Sequence, residues 1–115
     1  MSMQKYLFVY RLPCTSDPEV QPSPEEMQAM FARWDAWKSK FKSNIVDVGD
    51  GLKRTGKGLA GNVVTDGPYV EAREIIGGYS MVQAETYDQA IAVARDCPIA
   101  SIPGARIEVR ELAGY

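Results

Sequence analysis

Between Thr65 and Tyr79 the chain reads TDGPYVEAREIIGGY, which sets Asp66, Tyr69, Glu71, Arg73 and Glu74 close together between two apolar runs. These residue types can move protons and hold polar ligands. A carboxylate whose pKa is lifted by burial can give or take a proton near neutrality, and a neighbouring guanidinium stabilises the charge that develops. Glu74 and Asp66 are therefore the candidate catalytic groups, with Tyr69, Glu71 and Arg73 as candidate ligand contacts. In an extended segment Glu71 and Arg73 point to one side and Glu74 to the other. Glu74 can act in proton transfer only if it turns inward; left exposed it is a surface charge. Asp66 has a second reading, since Asp-Gly-Pro favours a tight turn in which the carboxylate bonds backbone amides. Asp66, Glu71 and Glu74 are also of the type that holds a hard cation, but no metal is assigned.

Arg11, Glu108 and Arg110 lie far away in sequence, yet the strands that carry them are expected to converge on the same face. Arg11 and Arg110 join the candidate ligand contacts, with a cross-strand ion pair to Glu108 as the alternative. The chain has no histidine. That removes Ser-His and Cys-His nucleophile pairs, His-ligated zinc and imidazole acid/base chemistry. Cys14 and Cys97 are isolated thiols without Cys-x-x-Cys spacing, expected to be reduced and structural. No cofactor is indicated.

Positioning falls to a single domain spanning residues 1–115. Its 45% hydrophobic and 24% charged composition is that of an ordinary globular protein. A formal charge of −2 gives no general attraction to nucleic acid or to an anionic membrane. No apolar run approaches the ~20 residues that span a bilayer, and no leader pattern opens the chain, so a cytoplasmic location is expected.

KYLFVYRL, Lys5 to Leu12, alternates Tyr6, Phe8 and Tyr10 with Leu7 and Val9 and reads as a strand apolar on both faces. Pro13 to Pro24 is a proline-rich loop, a plain surface connection or a rim to a site. Ser23-Pro24-Glu25-Glu26 opens a helix with a capping box. Met27, Met30, Phe31, Trp34, Trp37 and Phe41 then form one stripe, assigned by its spacing to the core, with a ligand surface as the other reading. NIVDVGDGLK, Asn44 to Lys53, holds a short strand with Asp50-Gly51 as a turn, and Gly58 to Thr65 is the next extended segment. Gly56, Gly58 and Gly61 lack the rest of a phosphate-loop pattern and are assigned to a bend. GGYSMVQAE is a strand, Thr86-x-x-Gln89 caps a second helix that ends at Pro98, PIASIPG is a loop, and Arg106 to Leu112 is the last strand. This order predicts an α+β ferredoxin-like split βαβ fold, an antiparallel sheet with two helices on one face. Because the first strand is apolar on both sides, the uncovered face is expected to meet a second copy, giving a homodimeric α/β barrel.

Asp66-Gly67-Pro68-Tyr69, Glu71, Arg73-Glu74, Ile76-Gly77-Gly78-Tyr79 and Ile107-Glu108-Val109-Arg110 together resemble the YCII-related proteins, specifically the branch named for an Asp-Gly-Pro-Phe motif. The resemblance runs from Lys5 to Leu112 and takes in the Trp34 helix and the helix from Asp88 to Pro98. It implies a ferredoxin-like domain forming a dimeric α/β barrel. Related proteins carry a His-Asp pair proposed as catalytic, which a chain without histidine does not share. Tyr69 stands in place of the motif's Phe, and Arg73 where Lys is usual. Some members are encoded beside, or fused to, sigma factors of the extracytoplasmic type, which implies a regulatory role.

Three readings follow. The first is a small-molecule site in the cleft between helix and sheet or at the dimer seam, with carboxylate chemistry if it is an enzyme. The second is a non-catalytic regulatory or accessory domain acting through protein partners. In the third the motif is a scaffold for strand register.

Overall fold

The computed structural model describes residues 2–13, 23–67 and 74–114, with the backbone alone at Gly67. Tyr69, Glu71, Arg73, Cys14 and most of the Pro13–Pro24 loop lie outside the described residues. In chain order the elements are β1 (Gln4–Pro13), α1 (Pro24–Lys40), β2 (Ile45–Gly51), β3 (Gly56–Ala60), β4 (Val63–Gly67), β5 (Glu74–Ala84), α2 (Tyr87–Arg95) and β6 (Arg106–Glu111). A single 3₁₀ turn, Pro98–Ser101, forms where the sequence suggested only loop.

The main sheet has strand order β2-β5-β1-β6 with antiparallel neighbours. With α1 and α2 on one side, this is the ferredoxin-like α+β fold expected from the sequence, and the sheet is open rather than closed. Alternation along β1 decides the faces. Tyr6, Phe8 and Tyr10 are buried against the helices, together with Val82, Ala84, Trp37, Ala90, Val93 and Cys97. Each large side chain buried in this way contributes about 2–3 kcal/mol through the apolar area it removes from water. Register places Leu7, Val9 and Arg11 on the opposite face, beside Tyr79 and Ile76 of β5 and Glu108 and Arg106 of β6.

Both helices start as their sequences require. Ser23 Oγ accepts the Glu26 N–H at 3.1 Å. Thr86 Oγ1 accepts the Gln89 N–H at 3.1 Å, while the Gln89 side chain accepts from Glu85 N–H, one residue before the expected reciprocal partner.

Two expectations are corrected. Asp50-Gly51 is not a turn but the end of β2, paired with Tyr79 and Gly78. The ladder there is irregular, because Asp47 Oδ1 accepts from Gly49 N–H and Asp50 Oδ1 from Gly51 N–H. Gly49 has φ 73°, and a Cβ there would lie 1.8 Å from the Tyr79 carbonyl oxygen, so only glycine fits. The segment Gly58–Thr65 is likewise not one strand. It folds back at Gly61-Asn62, where Gly61 has φ 60°, as the first central position of a II′ hairpin turn requires. The resulting β3-β4 ribbon forms its own two-stranded sheet and leaves Leu59, Val63 and Val64 exposed.

The α1 stripe is the third departure. Trp37 is 2% exposed and Trp34 and Phe41 pack on the core, but Met27, Met30 and Phe31 remain open, Phe31 at 61%. The cause lies on β5. Its helix-facing residues shrink from Val82 to Ser80 to Gly78 towards the end that faces the first half of α1, so the helix has nothing tall to pack on.

Candidate functional site

That shortfall leaves a cleft of about 390 Å³ between α1 and the sheet. One wall is Met30, Phe31, Trp34 and Lys38 of α1. The other is formed by the stretches Val48–Gly51 of β2 and Gly77–Tyr79 of β5, four of whose seven residues are glycine, and Tyr10 and Ile99 complete the lining. The lining is mostly apolar and the volume falls in the range of small-molecule sites.

Aromatic packing holds the helical wall in place. Trp37 donates its indole N–H to the Val93 carbonyl at 2.9 Å, which ties α1 to α2. Trp34 stands edge-on to Trp37, centroids 5.5 Å apart, and to Tyr10 at 6.0 Å. Such edge-to-face pairs fix ring orientation as well as adding to burial.

Beneath the cleft runs a buried polar chain. Tyr10 donates its hydroxyl proton to Ser80 Oγ at 2.6 Å, and Ser80 donates to the Val48 carbonyl at 2.6 Å. The Cys97 thiol approaches Tyr10 Oη at 3.5 Å. Burial pushes the Tyr10 phenol far above its ordinary range, with the Cys97 thiol beside it adding to the effect. Burial also raises Cys97, partly offset by the Tyr10 hydroxyl. Both groups are therefore neutral near pH 7, and the chain serves to hold β1, β5 and β2 in register at the cleft floor. Two β2 and β5 residues that shape this cleft, Val48 and Ser80, were not singled out from the sequence, and Gly78 entered only as part of the family motif. The signal that was available is the run of small residues Gly77-Gly78 followed by Ser80 on a strand otherwise rich in large ones.

The candidates from the sequence lie elsewhere. Asp66 is exposed at the end of the β3-β4 ribbon and pairs with Lys57. Glu74 sits on the open sheet face, where both carboxylate oxygens accept from Arg106, at 2.7 Å from Nε and 2.5 Å from Nη2. The Arg106 guanidinium holds Glu74 below the usual carboxylate range against a smaller opposing effect of burial. Arg11 of β1 and Arg110 of β6 both pair with Glu108. Arg11 Nε donates to Glu108 Oε1 at 3.0 Å, and Arg110 Nη1 to Glu108 Oε2 at 3.2 Å. Glu108 is lowered by Arg11 first and Arg110 second. Arg106, the partner that engages Glu74, was not among the candidates, because sequence alone does not give the β1-β6 register that sets Arg106 opposite Arg11.

Asp66 and Glu74 thus stand apart from each other in separate ion pairs, and Glu74 is ionised at neutral pH. Among the described residues no cluster of three acid or thiol groups could hold a metal ion. No described helix is long and apolar enough to cross a membrane.

An open antiparallel ferredoxin-like sheet with an apolar cleft under its first helix defines an α+β scaffold on which function depends on the site rather than the fold. Within that class the chain belongs to the YCII-related domain family, whose model matches residues 10–113. A comparison with curated proteins returns no match.

Proposed function

We propose that this YCII-related protein binds a small, largely apolar molecule in the cleft between α1 and the ends of β2 and β5, and does so as a homodimer. The observation that carries the reading is the exposed half of the α1 stripe. Met30 and Phe31 face about 390 Å³ of space rather than core, beside a Trp34 held edge-on by two other rings. Exposed apolar side chains rimming a cleft of this size are what ligand sites share. Binding is favoured over acid/base catalysis, since Glu74 is ionised by Arg106 and Asp66 is an exposed partner of Lys57. The Asp-Gly-Pro-Tyr run at Asp66–Tyr69 supports placing the chain in the branch named for that motif, and Tyr69, Glu71 and Arg73 remain candidate contacts within it.

The dimer reading rests on the open sheet face, which shows Leu7, Val9, Ile76, Tyr79 and Met81 between the Arg11–Glu108–Arg110 and Glu74–Arg106 pairs. A monomer gains nothing from apolar residues there, whereas a second copy would cover them.

Native mass spectrometry of protein purified without denaturation tests the ligand reading. A bound mass is expected on the wild type and absent from Phe31→Glu, which puts a charge at the cleft lip on an exposed side chain and should leave the unfolding temperature unchanged. Retention of the same adduct by Phe31→Glu would place the ligand elsewhere.

A further inference from the structure

The walls of the cleft differ in kind, and the difference selects a ligand. On the helix side stand the rings of Phe31 and Trp34 with the Met30 thioether, all suited to a π face. Across from them the wall is rich in glycine, with Gly49, Gly51, Gly77 and Gly78 raising no side chain between Val48, Asp50 and Tyr79. Rings on one side and a glycine-rich wall on the other suit a flat molecule, which can stack on the rings, better than a flexible chain.

Charge selects further. Lys38 and Asp50 are the charged residues on the lining, and they are not equivalent. Asp50 spends Oδ1 on its own neighbour's amide, Gly51 N–H, at 2.7 Å, and enters the wall beside the Gly78 backbone. Lys38 projects from the same helical stripe as Trp34 and pairs with Asp35, three residues back on the same helix, at 3.2 Å with both side chains well exposed. Water competes readily with such a pair, so the ammonium is free to exchange partners.

We infer that the cleft takes a planar aromatic carboxylate, its ring stacked on Trp34 over the glycine shelf and its carboxylate on the Lys38 ammonium. The inference rests on the cleft being a ligand site, as proposed above, and adds the class of molecule.

Isothermal titration of the full chain with three probes of similar size separates the two claims: 2-naphthoate, 2-naphthylmethanol and decanoate. Saturable binding of 2-naphthoate is expected, with 2-naphthylmethanol weaker by about fivefold, the scale of a partly exposed ion pair. Decanoate should bind more weakly than either. Lys38→Gln should bring naphthoate down to the level of naphthylmethanol and leave the latter unchanged, a pattern that loss of folding cannot mimic. Trp34→Leu should weaken both aromatic probes, with circular dichroism confirming that the variant is folded. Decanoate binding as tightly as naphthoate would overturn the aromatic assignment while leaving the cleft a ligand site. Equal affinity for naphthoate and naphthylmethanol in the wild type would overturn the role of Lys38. Failure of all three probes would overturn the inference, and an adduct still lost in Phe31→Glu would show that the cleft binds a molecule of another class.

Discussion

Removing the Ser80 hydroxyl strips the centre out of the Tyr10–Ser80–Val48 chain. Ser80 is fully buried, and it both accepts from Tyr10 and donates to Val48 at 2.6 Å. In Ser80→Ala the Tyr10 hydroxyl and the Val48 carbonyl each lose a partner, and leaving a buried polar group unsatisfied costs about 1–3 kcal/mol. Cys97 Sγ, at 3.5 Å, is a weak substitute acceptor for Tyr10. The expected loss is about 3 kcal/mol. Tyr10→Phe is milder, about 1 kcal/mol, because Ser80 keeps its bond to Val48. The double variant leaves only the Val48 carbonyl without a partner, so it should fall short of the summed losses by about 2 kcal/mol. Urea unfolding followed by far-UV circular dichroism, with all four proteins at pH 7, measures the cycle. Losses that add within about 0.5 kcal/mol, or a neutral Ser80→Ala, would refute the claim that this chain ties the cleft floor together.

Trp37→Phe removes the indole bond to Val93 from a buried site and should cost about 2–3 kcal/mol, read as a lower urea midpoint with unchanged slope. Gly49→Ala sets a Cβ against the Tyr79 carbonyl at a φ of 73° and should destabilise by more than about 2 kcal/mol, where Gly56→Ala, with open space around it, should not. Glu74 and Glu108 have folded-state pKa values lowered chiefly by Arg106 and by Arg11. Their stabilisation is therefore complete above the unfolded carboxylate value of about 4.3 and is lost as pH falls through the lower folded values. The urea midpoint should drop as pH is lowered from 5 to 3, and less steeply in a Glu74→Gln, Glu108→Gln variant that starts lower at pH 7. On the dimer proposal, sedimentation should give twice the chain mass, and Ile76→Asp on the open face should return the monomer.

Much of the main sheet was legible, because alternation survives any tertiary context: Tyr6, Phe8 and Tyr10 face the core as their spacing required. The caps were legible for the same local reason, since Ser23 and Thr86 satisfy amides three residues ahead. What escaped depended on partners distant in sequence. Periodicity along α1 picked the correct stripe but could not say that Gly78 and Ser80 would lie opposite its first half, and that pairing is what makes a cleft instead of core. The hairpin was misplaced because Asp50-Gly51 and Gly61-Asn62 are both turn-like, and only the pairing of β2 with Tyr79 and Gly78 decides between them. The fates of Glu74 and Arg11 turned on the register of β1 with β6, which brings Arg106 and Glu108 into reach.

The most direct test of the central claim is a crystal structure of the protein taken straight from cells and purified without denaturant. Density for a bound molecule lying on Trp34 and over Gly77–Gly78 is the result this account requires. A cleft filled by the protein's own side chains, with Phe31 and Met30 packed into it, would contradict it.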